Sequence, residues 1–306
     1  MRPLLILFVS ILLFTCSDEE TTAKATLYFP PNSNTWEGMS PSSLGWDVAK
    51  LEALNTFLAS NNTRAFIILV DGKIVVEEYF GKQFDGVTDF SVNSNWYWAS
   101  AGKTMTAALI GIAASQGKIN IDAKTSAYLG QGWTSLSAQQ EDKITVRHQL
   151  TMTTGLDDYA EANSTGDKDC TEPACLTFKA EPGSRWAYHN APYTLLDGVI
   201  AAGTGQSLNT FLSEQMLNKI GMSALYIKSG YNNVLYSAPR SMARFGLLLL
   251  AGGQWNGTQI IPEDYVDLMI NSSQNLNPAY GYLTWLNGKG TYKVPGPQTS
   301  FSGSIT

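Results

Sequence analysis

Ser100-Ala101-Gly102-Lys103 sets a hydroxyl and an amine three positions apart. On a helix, residues i and i+3 share a face, so the amine reaches the hydroxyl. A serine at its ordinary pKa is a poor nucleophile and needs an adjacent base. A lysine partly removed from water and held near other donors can be neutral enough to serve. The stretch follows Trp96-Tyr-Trp-Ala99 and opens a helix expected from Thr104. Ser100 therefore falls at a helix N-terminus, where free N–H groups and the positive dipole end favour developing negative charge. Ser115-Gln-Gly-Lys118 repeats the spacing, but beside Gly117 at the far end of that helix, where exposed carbonyls repel an oxyanion. Standing alone, Ser100 and Lys103 would read as a capping serine and a solvated lysine.

Tyr188-His189-Asn190, downstream of a Pro182-Gly183 turn and ahead of another helix, changes that balance. A tyrosine hydroxyl near an ammonium can relay a proton, and an asparagine amide can donate to a substrate carbonyl and hold the lysine. Tyr231-Asn-Asn233 has the same composition but no Pro-Gly turn before it and no clear helix after it.

The elements that position these groups are legible in outline. Asp47 is expected to cap a helix with Val48, Leu51, Leu54 and Leu58 on one face. Two β-rich runs, 65–70 and 74–80, flank Asp71-Gly72 as a hairpin. Helices are expected over 104–116, 190–202, 207–220 and 240–250, each stopped by glycine. Tyr280–Leu286 alternates like a strand, with Asn287-Gly288 as a hairpin turn. Strands at both ends with helices between them indicate one α+β unit.

Four stretches resemble, in order and spacing, the serine hydrolases related to class C β-lactamases. They are Trp98-Ala-Ser-Ala-Gly-Lys103, Ile144-Thr-Val-Arg-His-Gln-Leu-Thr-Met-Thr-Thr-Gly-Leu156, Pro182-Gly-Ser-Arg-Trp-Ala-Tyr-His-Asn190 and the run from Arg240 to Gly257. The resemblance spans roughly residues 45–290. It implies the β-lactamase/transpeptidase fold, α+β, with an antiparallel sheet built from both chain ends and an inserted helical subdomain. It implies Ser100 as acylated nucleophile, Lys103 and Tyr188 as the proton-handling pair, and Asn190 as a substrate and lysine contact. His189 takes the motif's variable middle position and His148 a structural segment, so neither is assigned catalysis. The family includes esterases, D-peptidases, β-lactamases and hydrolases of oligomeric amides, and an ester or amide is the expected substrate. A catalytically weak module binding cell-wall peptides is the alternative on the same fold. The family's third motif, Lys-Thr-Gly or a relative on a strand, is matched only loosely by Phe301-Ser302-Gly303. The expectation is that the chain is a fragment ending before that strand.

Composition bounds the rest. The 306 residues are 44% hydrophobic and 15% charged, with 26 acidic against 20 basic side chains and a net charge of −6, so no basic field invites nucleic acid. Mean hydropathy is −0.09, unlike a polytopic membrane protein. Two histidines and no Cys-x-x-Cys pair leave little for a zinc site, and no cofactor is expected. Residues 1–15 read as a signal peptide: Arg2, then an apolar run from Leu4 to Phe14, too short to span. Leu13-Phe-Thr-Cys16 resembles a lipobox that would lipidate Cys16, and Ser17-Asp-Glu-Glu20 resembles the acidic export tag of Bacteroidetes lipoproteins. Residues 16–44 are expected as a lipid-anchored flexible tether and 45–306 as the hydrolase domain. The chain is thus expected as an exported Gram-negative lipoprotein of the outer membrane or cell surface, with substrate and membrane as its partners. Cys170 and Cys175 would form a small disulfide clip in such an oxidising compartment.

Overall fold

The computed structural model describes residues 27–33, 35–159 and 166–304. The leader and Cys16 lie outside the described residues. Asp47 caps helix α1 (Val48–Ser60) by accepting from the N–H groups of Ala49 and Lys50. Leu51, Leu54 and Leu58 are half-buried on it, while Val48 is exposed. Strands β1 (Ala65–Val70) and β2 (Lys73–Tyr79) pair antiparallel across Asp71-Gly72, whose φ angles are +49° and +82°. Two left-handed residues in a two-residue turn match the twist of the flanking strands. A Cβ at Gly72 would lie 1.9 Å from the Tyr28 carbonyl oxygen, so the turn requires glycine twice over.

A second antiparallel sheet places β5 (Asn232–Ser237) between β3 (Trp96–Tyr97) and β4 (Ala224–Ser229). Between β3 and β4 run most of the helices. The central one, α2 (Gly102–Ser115), is mostly apolar and buried on nearly every side, with Lys103 and Thr106 among its buried residues. Met105, Leu109, Ile110 and Ile112 sit fully inside the main core with Leu196, Val199 and Ile200 of the helix Leu196–Thr204. Burying each such side chain contributes roughly 1.5–3 kcal/mol, so α2 is a fixed platform for whatever its first turn carries. The expected stops hold: Gly117, Gly205 and Gly221 are left-handed after α2, after Leu196–Thr204 and after Asn218–Ile220, and Gly252-Gly253 follows Pro239–Leu250. The stretch 190–204 is divided at Leu195, and 208–220 passes through a wide π turn at Ser213–Leu217.

Two expectations are corrected. Tyr280–Leu286 is not a strand: it doubles back on itself through the single bridge between Tyr280 and Trp285, with Leu283 at φ +50°. Its backbone is claimed elsewhere, because the Leu283 N–H donates to Leu150 and its carbonyl accepts from Thr104 Oγ1. Asn287-Gly288 therefore turns no hairpin, and the late strands Thr291–Tyr292 and Phe301–Ser302 pair only with each other. The expected tether is also not free chain from Leu27 onward. The Tyr28 N–H donates to Asp71, Trp36 Nε1 to Gly72, and the Ile74 N–H to Glu37. Buried Arg244 donates to the Pro30 and Pro31 carbonyls while its guanidinium lies over Trp36. Among the described residues no helix is long and apolar enough to cross a membrane.

Candidate active site

Trp98 anchors the approach to Ser100. Its backbone N–H donates to Leu235 of β5 at 2.8 Å and its indole to Ser237 Oγ at 2.7 Å. Ala99 then takes φ +46°, a left-handed conformation that strains an L side chain and turns the chain sharply. Ser100 follows in the 3₁₀ turn Ala99–Ala101, which runs straight into α2. The result is an exposed serine at the mouth of a buried helix.

Lys103, one turn on, is only 5% exposed, and its Nζ donates to Ser100 Oγ at 3.2 Å. Burial lowers its pKa to about 8, against the opposing pull of the Asp169 carboxylate. At neutral pH roughly a tenth of the amine is then unprotonated. Tyr188 is half-buried, and burial raises its hydroxyl pKa, while polar interactions with Ser100 and the Trp285 indole act the other way. It remains a protonated donor at physiological pH. Its ring stacks on Trp285 at 5.6 Å and meets Tyr280 edge-on at 6.1 Å. The segment misread as a strand is thus the clamp that orients Tyr188.

Ser100, Tyr188 and Asn190 line one cavity of about 350 Å³, together with Asp169, His189 and Pro295. Of the groups read from the sequence, Ser100, Lys103, Tyr188 and Asn190 do converge. Asn190 differs in detail: its Nδ2 donates to Asp169 Oδ1 at 2.8 Å, so that donor is taken by the protein. Asp169, Trp285 and Tyr193 are additions that no motif contains. The competing pairs stay outside. Ser115 Oγ donates to the Ile112 carbonyl and Lys118 lies over Phe211. Tyr231 falls in the turn between β4 and β5, although its neighbour Asn232 donates to Asp169 Oδ2 at 2.9 Å.

His148 caps the helix Val146–Leu150 reciprocally with Thr145, a structural task. His189 lies inside the wall, where burial drives its pKa down to about 4, so it is neutral at working pH. Cys170 and Cys175 are bonded, with Cα atoms 6.0 Å apart, immediately after Asp169. Phe301 stacks on Tyr292 and is not among the residues that line the cavity. Larger hollows of about 460 and 520 Å³ lie elsewhere among the described residues; the charged groups at one of them, Arg240 and Arg244, are bonded to Glu77 and to backbone carbonyls. Among the described residues no three His, Cys, Asp or Glu side chains are grouped as metal ligands.

A serine in the 3₁₀ turn that runs into a buried helix and a lysine in that helix's first turn, in an α+β frame with antiparallel sheets, are the arrangement of a serine hydrolase. Residues 62–302 match the Beta-lactamase family, and the chain belongs to it. An uncharacterised protein of Alkalihalophilus pseudofirmus is 25% identical over 247 residues, 71% of this chain and 68% of that one. Among solved structures, a candidate 6-aminohexanoate-dimer hydrolase from Bacillus anthracis superposes with a TM-score of 0.66 at 22% identity, over 89% of this chain and 79% of that one. A penicillin-binding protein from Bacillus halodurans gives 0.60 at 17% identity, over 79% and 85%. A candidate β-lactamase from Bacteroides dorei gives 0.64 at 17% identity, over 78% and 79%. These structures share the fold.

Proposed function

We propose that this hydrolase cleaves an ester or amide through an acyl-enzyme on Ser100. The observation that carries the reading is the 3.2 Å contact between Lys103 Nζ and Ser100 Oγ beside a cavity that Tyr188 also lines. Neutral Lys103 takes the Ser100 proton as Oγ attacks the carbonyl carbon. Protonated Tyr188 gives its proton to the departing alkoxide or amine as the carbon–leaving-group bond breaks, and the Lys103 ammonium restores it. Water then releases the acyl group. Free N–H groups at the start of α2 favour the oxyanion. The fold shared with the candidate 6-aminohexanoate-dimer hydrolase supports a small non-peptide amide as readily as a peptidoglycan peptide or a β-lactam. We further propose export and lipidation at Cys16, supported by the leader and the lipobox-like Leu13–Cys16.

Fluorophosphonate labelling followed by peptide mapping tests the nucleophile. The adduct is expected on Ser100 and lost in Ser100→Ala, with Ser115→Ala labelling normally. An adduct on Ser115, or labelling that survives Ser100→Ala, sinks the reading.

A further inference from the structure

Ser100 sits in a strained turn, and a single rung of the β4–β5 pair holds that turn at both ends. Tyr226 of β4 lies opposite Leu235 of β5. Before the turn, the Leu235 carbonyl accepts from the Trp98 N–H; after it, the Tyr226 hydroxyl donates to the Gly102 carbonyl at 3.2 Å. Gly102 lies against the rung itself, since a Cβ there would sit 3.3 Å from Leu235 Cβ. Tyr226 is buried, and burial raises its pKa well above the ordinary value, so the hydroxyl keeps its proton. That one proton goes to Gly102, because a carbonyl only accepts. The Thr106 hydroxyl, 3.0 Å away and fully buried, must then donate to the Tyr226 oxygen. Thr106 stands four residues after Gly102 and could otherwise turn its hydroxyl back to that carbonyl, a bond that tends to bend a helix. Tyr226 is itself held in place. Asn209 of the helix Leu208–Leu212 brackets its backbone, with Oδ1 accepting from its N–H at 2.8 Å and Nδ2 donating to its carbonyl at 2.9 Å.

We propose that Tyr226 is a positioning residue for the reaction at Ser100: it closes the turn from Trp98 to Gly102 and so keeps Ser100 Oγ within reach of Lys103 Nζ. A left-handed Ala99 costs energy and persists only where its surroundings over-determine it. Leu235 fixes where the turn begins, and Tyr226 fixes where it ends, one residue before Lys103. This role rests on acylation at Ser100 as proposed above, and the experiment distinguishes the failure of either.

The test is the rate of acylation by p-nitrophenyl acetate, followed by stopped flow across the acid limb, with a thermal melt of each variant. Tyr226→Phe keeps the buried ring and loses only the hydroxyl. Its plateau rate should fall by about tenfold or more, since small misplacements of reacting groups are costly. The acid limb should stay at about 8, because the burial and the Asp169 carboxylate that act on Lys103 are untouched. Thr106→Val breaks the neighbouring hydroxyl contact but leaves Tyr226 bonded to Gly102, so it should lower Tm to a similar degree and keep the plateau within about threefold of wild type. Asn209→Ala loosens the backbone of Tyr226 and leaves its side chain, and should give a smaller loss of the same form even if Tyr226→Phe folds poorly. A loss in Tyr226→Phe no larger than in Thr106→Val overturns the proposal, as does a limb moved up toward the ordinary lysine range, the mark of a hydroxyl that only stabilises the core. Where Tyr226→Phe does not fold, an unchanged Asn209→Ala overturns it. Fluorophosphonate labelling of Ser100 is measured alongside. Normal labelling of the wild type with any of these results leaves the nucleophile standing. No labelling of the wild type overturns the hydrolase mechanism itself.

Discussion

The Lys103 ammonium lies 4.4 Å from the centre of the Tyr193 ring, inside the core. Tyr188 offers a second ring at 5.1 Å. Aromatic faces attract a cation, by up to about 2 kcal/mol when it is desolvated. Burial alone expels charge from Lys103, so these rings and Asp169 decide how far its pKa falls. The lysine is poised rather than simply neutral.

The acid limb of the acylation rate should follow this amine. Lys103 must be unprotonated to accept the serine proton, so the rate should rise with pH and level off above about 8. Tyr193→Phe keeps the ring and should leave the limb in place. Tyr193→Leu removes a stabiliser of the ammonium, lowers the lysine pKa and should move the limb down by up to about one unit. His189→Gln should not move it, because His189 stays neutral down to about 4. Stopped-flow acylation from pH 5.5 to 9.5 decides. A limb that tracks His189 instead removes Lys103 as the base.

That Ser100 and Lys103 meet is legible in the sequence because a spacing of three on a helix is local, and Tyr188 stands out by its place after a Pro-Gly turn. Asp169, Tyr193 and Trp285 are not legible there, because each reaches the site only through the fold. Asp169 meets Asn232 across a separation of 63 residues, and Trp285 meets Tyr188 from the far side of the chain. Tyr280–Leu286 alternates as a strand does, but alternation does not reveal that Leu150 and Thr104 already occupy the backbone of Leu283. The Pro- and Ser-rich composition of 27–44 likewise conceals the Arg244 guanidinium that gathers its carbonyls.

With lipid on Cys16 the protein should fractionate with membranes and resist extraction by high salt. Cys16→Ser should be released or left unprocessed. A soluble wild type with a mature N-terminus elsewhere would end the lipoprotein proposal.

Two glycines in helices should respond to alanine with opposite signs. In an open helix position, glycine to alanine stabilises by about 0.5–1 kcal/mol. Gly246, in Pro239–Leu250, has nothing within 4 Å of a Cβ, so Gly246→Ala should raise Tm. At Gly111 of α2 the Cβ would sit 2.3 Å from the buried Tyr265 ring. Gly111→Ala must displace the helix Glu263–Ile270, and overpacking of that kind costs about 1–3 kcal/mol, enough to reverse the helix gain. Thermal melts of both variants check the pair. A stabilised Gly111→Ala would mean that α2 is not the rigid platform its burial indicates.

The disulfide should matter more to activity than to stability. Cys170 and Cys175 are 1% and 3% exposed, so alkylation should require both reductant and denaturant. Closing so short a loop stabilises by about 2 kcal/mol in the chain-entropy account, a shift of only several degrees in Tm. Asp169 precedes Cys170 directly, however, and the bond holds the segment from which its carboxylate reaches Asn190 and Asn232. Cys170→Ser with Cys175→Ser should therefore lower kcat/KM by about tenfold or more while the protein remains folded, since small displacements of a positioning group are costly. The loss should resemble that of Asp169→Ala, and combining the two changes should add little, because both act through the same carboxylate. Full activity in the double serine variant would show that Asp169 is held by its amide partners alone.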